Sequence, residues 1–277
     1  MQLSIGTAWD QTRGIVARDG ALIAIVAAAL FVLPSALSTL IAPQSASITQ
    51  ESANASGVGG IVQIIMTLIS QVGALALTAI ALRPGLSIGE ALSTGLRRLF
   101  PAIGASLLYI LPMLVVVAIM LSTFISAGTP EEMLARLKNL SGGQLMSIMA
   151  VSIVFLYLAL RFCLANAVAV AESSNPVAIL KRSWVLTRGH ALRLFALLVL
   201  IGIVGLVLGS VAGMVGGLLV TLLFGPMEPM TIGALVFGLI NGIANAVLIT
   251  LFVLMLARIY GQLGSTVSVP KVDDIFA

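Results

Sequence analysis

The chain alternates long apolar runs with short polar stretches. Six runs stand out, at 21–42, 58–82, 102–125, 145–170, 191–225 and 232–257. Each is continuous, rich in Leu, Ala and Val, and long enough for the roughly 20 residues that a helix needs to cross a bilayer. A membrane barrel would instead show alternating segments of about ten residues. The pattern therefore predicts an all-α polytopic membrane protein: six transmembrane helices in three tandem hairpins, forming one domain over 1–260 with a cytoplasmic tail at 261–277. At about 1.5 Å per residue the fifth run outreaches a bilayer core of about 30 Å. It must tilt, project beyond the membrane or break.

Composition strengthens this picture. Hydrophobic residues make up 60% of the 277 and charged residues 9%, against about 25% charged in soluble domains, and the mean hydropathy is +1.17. Lipid, not water, is the main solvent. The net charge of +4 does not point to nucleic acid, because the basic residues stand beside apolar runs, where they set topology and meet headgroups. Twelve of the 14 Lys and Arg residues fall on one side, at the N-terminus, the 83–98 and 181–193 stretches, the C-terminus and Arg161. Arg136 and Lys138 fall on the other. The positive-inside rule then places both termini in the cytoplasm and the protein in the inner (plasma) membrane. The start of the chain is read as a span and not as a secretory leader, since the 21–42 run is too long and Asp10 and Asp19 interrupt its basic flank. Cys163 is the single cysteine, so the chain cannot form an internal disulfide and nothing suggests a metal cluster; no cofactor is expected.

The polar connections differ in kind. Residues 43–57 read as a flexible link, with a sequon at Asn54 that chance explains. Residues 129–143 read as a short surface helix. Thr129 caps it, Pro130, Glu131 and Glu132 suit its first turn, Met133, Leu137 and Leu140 share a face, and Ser141-Gly142-Gly143 ends it.

A six-residue frame occurs twice, WDQTRG at 9–14 and WVLTRG at 184–189, offset by 175 residues. Trp9 meets Trp184, Thr12 meets Thr187, Arg13 meets Arg188, Gly14 meets Gly189 and Arg18 meets Arg193. A weaker third copy, LSIGEALSTGLRRLFP at 86–101, carries Arg97 and Arg98. Each copy has a helix-start signal: Ser4 as a cap, Ser87 with Glu90 as a capping box, Asn175 before Pro176. Gly14 and Gly189 are placed to stop the helices. These features predict three amphipathic interfacial helices on the cytoplasmic face, each turning into the next span. Trp9 and Trp184 would sit at headgroup level, and Arg13, Arg18, Arg97, Arg98, Lys181, Arg182, Arg188 and Arg193 would meet lipid phosphates or simply anchor the fold.

The stretch RFCLANAVAVAESSNPVAILKRSWVLTRG (161–189) resembles the glycerophosphoryl diester phosphodiesterase membrane-domain family and related uncharacterised six-span bacterial membrane proteins. Arg161, Glu172, Pro176, Ala178, Ser183, Trp184, Thr187 and Gly189 carry the likeness. The resemblance implies a six-helix membrane domain of unassigned role. In the proteins that name the family, this domain is joined to a soluble phosphodiesterase, which needs metal-binding carboxylates and acid–base histidines. His190 is the one histidine here, so that activity is not carried over.

Within the spans, Gly205, Gly209, Gly213 and Gly217 form a small-residue row on the fifth helix. Ala234, Gly238, Gly242 and Ala246 form another on the sixth. Such rows let backbones approach, and the two are expected to pack on each other, with a homodimer face as the rival use. Gln63, Thr67 and Gln71 form one polar stripe, Asn241 and Asn245 a second; both should face protein or a wet cavity. Arg161 should snorkel to the interface or pair with Glu172, Glu90 or Asp10. Glu172 lies eleven residues on, about 16 Å along an unbroken helix, so a direct bond requires the helix to end first.

No catalytic constellation is visible. The expected function is that of a non-catalytic integral membrane protein that binds phospholipid, anionic above all, or docks a protein at the cytoplasmic face. The alternative is a small transporter or lipid-moving protein using the polar stripes.

Overall fold

The computed structural model describes residues 4–41, 56–125, 141–172, 175–225 and 228–264. They form nine α-helices and one π-helical turn, without strands: α1 (Ile5–Ala27), the π-turn (Ala28–Val32), α2 (Leu33–Ile41), α3 (Ser56–Leu82), α4 (Ile88–Ile125), α5 (Gly142–Phe162), α6 (Ala165–Ala171), α7 (Pro176–Thr187), α8 (Ala191–Phe224) and α9 (Ile232–Gly264). Six segments are long and apolar enough to cross a membrane: Ile5–Ile41, Gly60–Leu82, Ile88–Val116, Gly142–Ala171, Ala191–Phe224 and Ile232–Gly264. The polar link around Asn54, the expected helix after Thr129 with Arg136 and Lys138, and the tail past Gly264 lie outside the described residues.

The helix starts follow from side chains that satisfy otherwise orphaned amides. Ser4 Oγ accepts from the Thr7 amide at 3.3 Å, and Asn175 Oδ1 accepts from the Val177 amide at 3.0 Å ahead of Pro176. Ser87 and Glu90 form the predicted reciprocal box, at 2.8 and 3.3 Å. A further box joins Ser141 and Gln144. Ser141 therefore starts α5, with Gln144, three residues on, as its partner.

The first and third copies of the repeat do not stop before their spans. Gly14 is helical, and α1 departs from helical geometry only at Asp19 (φ −111°, ψ 18°). The third copy runs through Pro101 straight into its span. Only α7 is a separate short helix, ended by Gly189 at φ +86°. In the first span the π-turn immediately precedes Pro34. Proline lacks an amide and crowds the carbonyl four residues back, and a widened turn relieves both. α8 is continuous over its 34 residues, its glycines notwithstanding.

The most extensive helix pairings are α8 with α9, α2 with α9, and α3 with α4, so packing runs across the expected hairpin boundaries as well as within them. The two small-residue rows do not meet each other. A Cβ at Gly238 would stand 2.9 Å from Ala36 Cα, and one at Gly242 would stand 3.1 Å from the Val32 carbonyl. The row on α9 thus seats the first span. On α8, Gly205 faces Leu248 and Gly216 faces Ile240, whereas Cβ atoms at Gly209 and Gly213 would meet nothing within 4 Å. The geometric reason is that the α9 row and the α9 side chains facing α8 occupy different sides of that helix. Leu248 and Ile240 are large, and they fill the gaps that Gly205 and Gly216 leave.

Much of the apolar surface stays uncovered by protein. Leu206, Met214 and Leu222 are 71%, 76% and 73% exposed. Water would penalise such a surface heavily, and lipid does not. The larger buried cluster includes α6 and α7, and in it Leu164, Val168, Ile179, Leu194 and Ile259 are fully enclosed.

Candidate functional site

The break between α5 and α6 and the short α7 build a joint at this end. Cys163 and Leu164 turn the chain, which leaves the Arg161 carbonyl without its usual helical donor. Ser183 Oγ donates to that carbonyl at 2.8 Å and Thr187 Oγ1 at 3.4 Å, so α7 is pinned to the end of α5. Both residues are fully buried.

The Arg161 side chain lies between two rings. Its guanidinium sits 5.0 Å from the Tyr157 ring centre and 4.9 Å from that of Trp184. Two rings bracketing one cation use the negative faces of both π-systems. Nε and Nη1 are buried and make no hydrogen bond among the described residues. Arg161 therefore pairs with none of Glu172, Glu90 and Asp10 but lies between aromatics. The helix does end before Glu172, as a direct bond would require. The carboxylate is instead taken by Arg182, whose Nε donates at 2.8 Å, and by the Tyr260 hydroxyl at 2.5 Å.

Trp184 also packs on Phe162 at 5.8 Å, and Phe162 on Tyr109 at 5.2 Å. Outside this aromatic wall, Phe162, Leu180, Trp184 and Val185 line an open cleft of about 390 Å³ with Lys181 beside it. Of the other predicted interface residues, Trp9, Arg13, Arg97, Lys181, Arg188 and Arg193 are exposed, Arg98 is half-buried, and the exposed Arg18 binds Asp19 at 2.6 Å.

The polar stripes divide. Gln71 reaches inward and donates to Asn166 Oδ1 at 3.2 Å beside a cavity of about 310 Å³. Asn241 and Asn245 line a smaller cavity of about 240 Å³ with Ser35; Asn241 donates to the Phe237 carbonyl at 3.2 Å. Gln63 and Thr67 break the expectation, since both are exposed on the outer face of α3. The Thr67 hydroxyl finds its acceptor in the Gln63 carbonyl at 2.8 Å, within its own helix, so that position needs no neighbouring helix.

A family model described as a domain of unknown function, DUF7847, matches residues 3–263. The chain belongs to the DUF7847 family. No curated protein matches it, and no solved structure does. The DUF7847 match takes in all six spans and the whole joint.

In this DUF7847 chain the sequence reading missed Tyr109, Tyr157, Asn166 and Tyr260. A signal was present: the chain has three tyrosines, and all three belong to the joint or its aromatic wall. A ring with one polar end is costly to place in hydrocarbon without a partner. Chemically the joint can hold and orient. Its one carboxylate is engaged twice, and its cations are offered to rings, to that carboxylate or to the surface.

Proposed function

We propose that the chain is a non-catalytic, lipid-interacting domain of the inner membrane with both termini in the cytoplasm. In this reading α7 lies on the inner face, and the joint holds an anionic phospholipid. The observation that carries it is the open cleft under Trp184. Its walls are apolar side chains suited to an acyl chain, and Lys181 stands at its edge for a phosphate. A basic residue near an anionic surface contributes about 1 kcal/mol. The resemblance of residues 161–189 to the glycerophosphoryl diester phosphodiesterase membrane-domain family is taken, within this proposal, as kinship. The residues of the resemblance do structural work here: Arg161, Trp184, Ser183, Thr187 and Glu172 build the joint, and Pro176 seats against Gly104.

The test is native mass spectrometry of the gently solubilised protein and of R13Q/K181Q/R188Q. Arg182 is left in place because it holds Glu172. The variant is expected to retain clearly less anionic phospholipid; equal retention overturns the lipid reading, and a retained protein in place of lipid replaces it with partner docking. A second reading, a small transporter or lipid-moving protein, draws on the cavity at Asn241 and Asn245. Solute or lipid flux in proteoliposomes that falls in N241L/N245L would favour it.

A further inference from the structure

The cavity beside Gln71 and Asn166 lies between α3, α4, the α5–α6 break, α8 and α9, half-enclosed and about 310 Å³ in volume. Its lining contains no Asp, Glu, Lys, Arg or His. An ion placed there would lose its hydration with no counter-charge to replace it. Yet the lining is not inert. The Gln71–Asn166 bond leaves the Gln71 carbonyl oxygen as an acceptor and the Asn166 amide hydrogens as donors. The hydroxyl-bearing side chains of Ser106 and Tyr109 also stand in the lining. Four polar side chains on three helices thus turn toward one space inside an apolar bundle. Interhelical bonding alone would have them paired with one another, since an open polar group in hydrocarbon is unfavourable. The stacked Tyr109 and Phe162 rings, with Phe252, give the same space an apolar wall. The turn at Cys163–Leu164 is what swings Asn166 into it, and broken helices are where membrane proteins commonly expose binding groups.

We infer that this cavity binds an uncharged ligand bearing hydroxyl or carbonyl groups on one side and an apolar body on the other. Gln71 and Asn166 supply the paired acceptor and donor, and Ser106 and Tyr109 supply hydroxyls. This site is separate from the Trp184 cleft, and it stands whether or not that cleft holds lipid. The chemistry is shared by two sources, a neutral lipid headgroup and a free polyol.

Cys163 lines the cavity and is the chain's one cysteine, so its modification reports occupancy. The full chain in detergent is treated with methyl methanethiosulfonate and followed by intact mass, alone and with dioctanoylglycerol, erythritol or, as a charged control, dioctanoyl phosphatidylglycerol. One uncharged probe is expected to slow modification saturably, by about fivefold at about four times its Kd. Dioctanoylglycerol protecting identifies the lipid source, and erythritol the free one. Protection should vanish in Q71L/N166L and in S106A/Y109F; the second pair keeps ring and backbone packing, so a misfolded first pair does not silence the test. If the thiol proves unreactive, the same series is read as a melting-temperature rise present in the native chain and lost in both variants. The proposal is overturned if no uncharged probe protects or raises the melting temperature, if the charged lipid does so equally, or if the effect survives in both variants.

Discussion

The two WxxTRG copies share a buried face and part company at their ends. Ala8 and Ser183 are both 0% exposed, Thr12 and Thr187 both 1%. In each copy the threonine hydroxyl donates to the carbonyl four residues back, at 2.8 and 3.0 Å. Beyond that the copies diverge. After Gly14 comes Ile15, which is buried, so the helix continues. After Gly189 comes His190, half-buried and at the N-cap position of α8. The six-residue frame therefore specifies which side of a helix is covered, and the residues after it decide whether the helix ends. The tryptophans follow the same logic: Trp9 is 43% exposed, whereas Trp184 is held by Tyr157, Phe162 and Arg161.

This contrast can be broken by paired substitutions read as melting temperatures in detergent. The largest gap is expected between Trp184→Ala, costing about 2–3 kcal/mol through lost ring packing and an exposed guanidinium, and Trp9→Ala, within about 0.5 kcal/mol. Equal losses would mean the first copy hides a partner of its own. The glycines should move in opposite directions. Gly189→Ala forces a side chain to φ +86° and should destabilise by about 1–2 kcal/mol. Gly14→Ala, in a helix interior where a Cβ meets nothing within 4 Å, should stabilise by about 0.5–1 kcal/mol. Ser183→Ala converts the second copy to the residue found at Ala8. It removes the 2.8 Å bond to the Arg161 carbonyl and should cost about 1 kcal/mol. Smallest is the threonine pair: Thr187→Val loses a second contact with Arg161 that Thr12→Val does not have, a difference of about 0.5 kcal/mol. Identical values there would show that the Arg161 contact contributes nothing.

Much of this architecture was legible in the sequence. The six spans come from the length of the apolar runs, and the caps at Ser4, Ser87 and Asn175 come from partners two or three residues away, where one local rule suffices. The partners of the helices were not legible. A small-residue row states that something approaches closely, but Gly238 and Gly242 carry no mark that the neighbour is Ala36 and Ser35 rather than α8. Glu172 and Tyr260 are 88 residues apart, and only the fold brings them together. Arg161 was read through charge, whereas its surroundings are aromatic. The stripe on α3 was read as one unit, although Gln71 lies deeper along the helix than Gln63 and Thr67 and alone reaches the interior.

The seating of α2 in the small-residue row of α9 also has a consequence in time. Ser35 and Gly242 are separated by about two hundred residues, and a ribosome adds about 5–20 residues per second. The helix made first therefore spends about 10–40 s in the membrane before the groove that receives it has been translated. During that interval the π-turn and Pro34 face lipid or a chaperoning insertase, and a chain halted after the fifth span leaves them there. Of the six spans, the first therefore waits for the sixth before its groove exists.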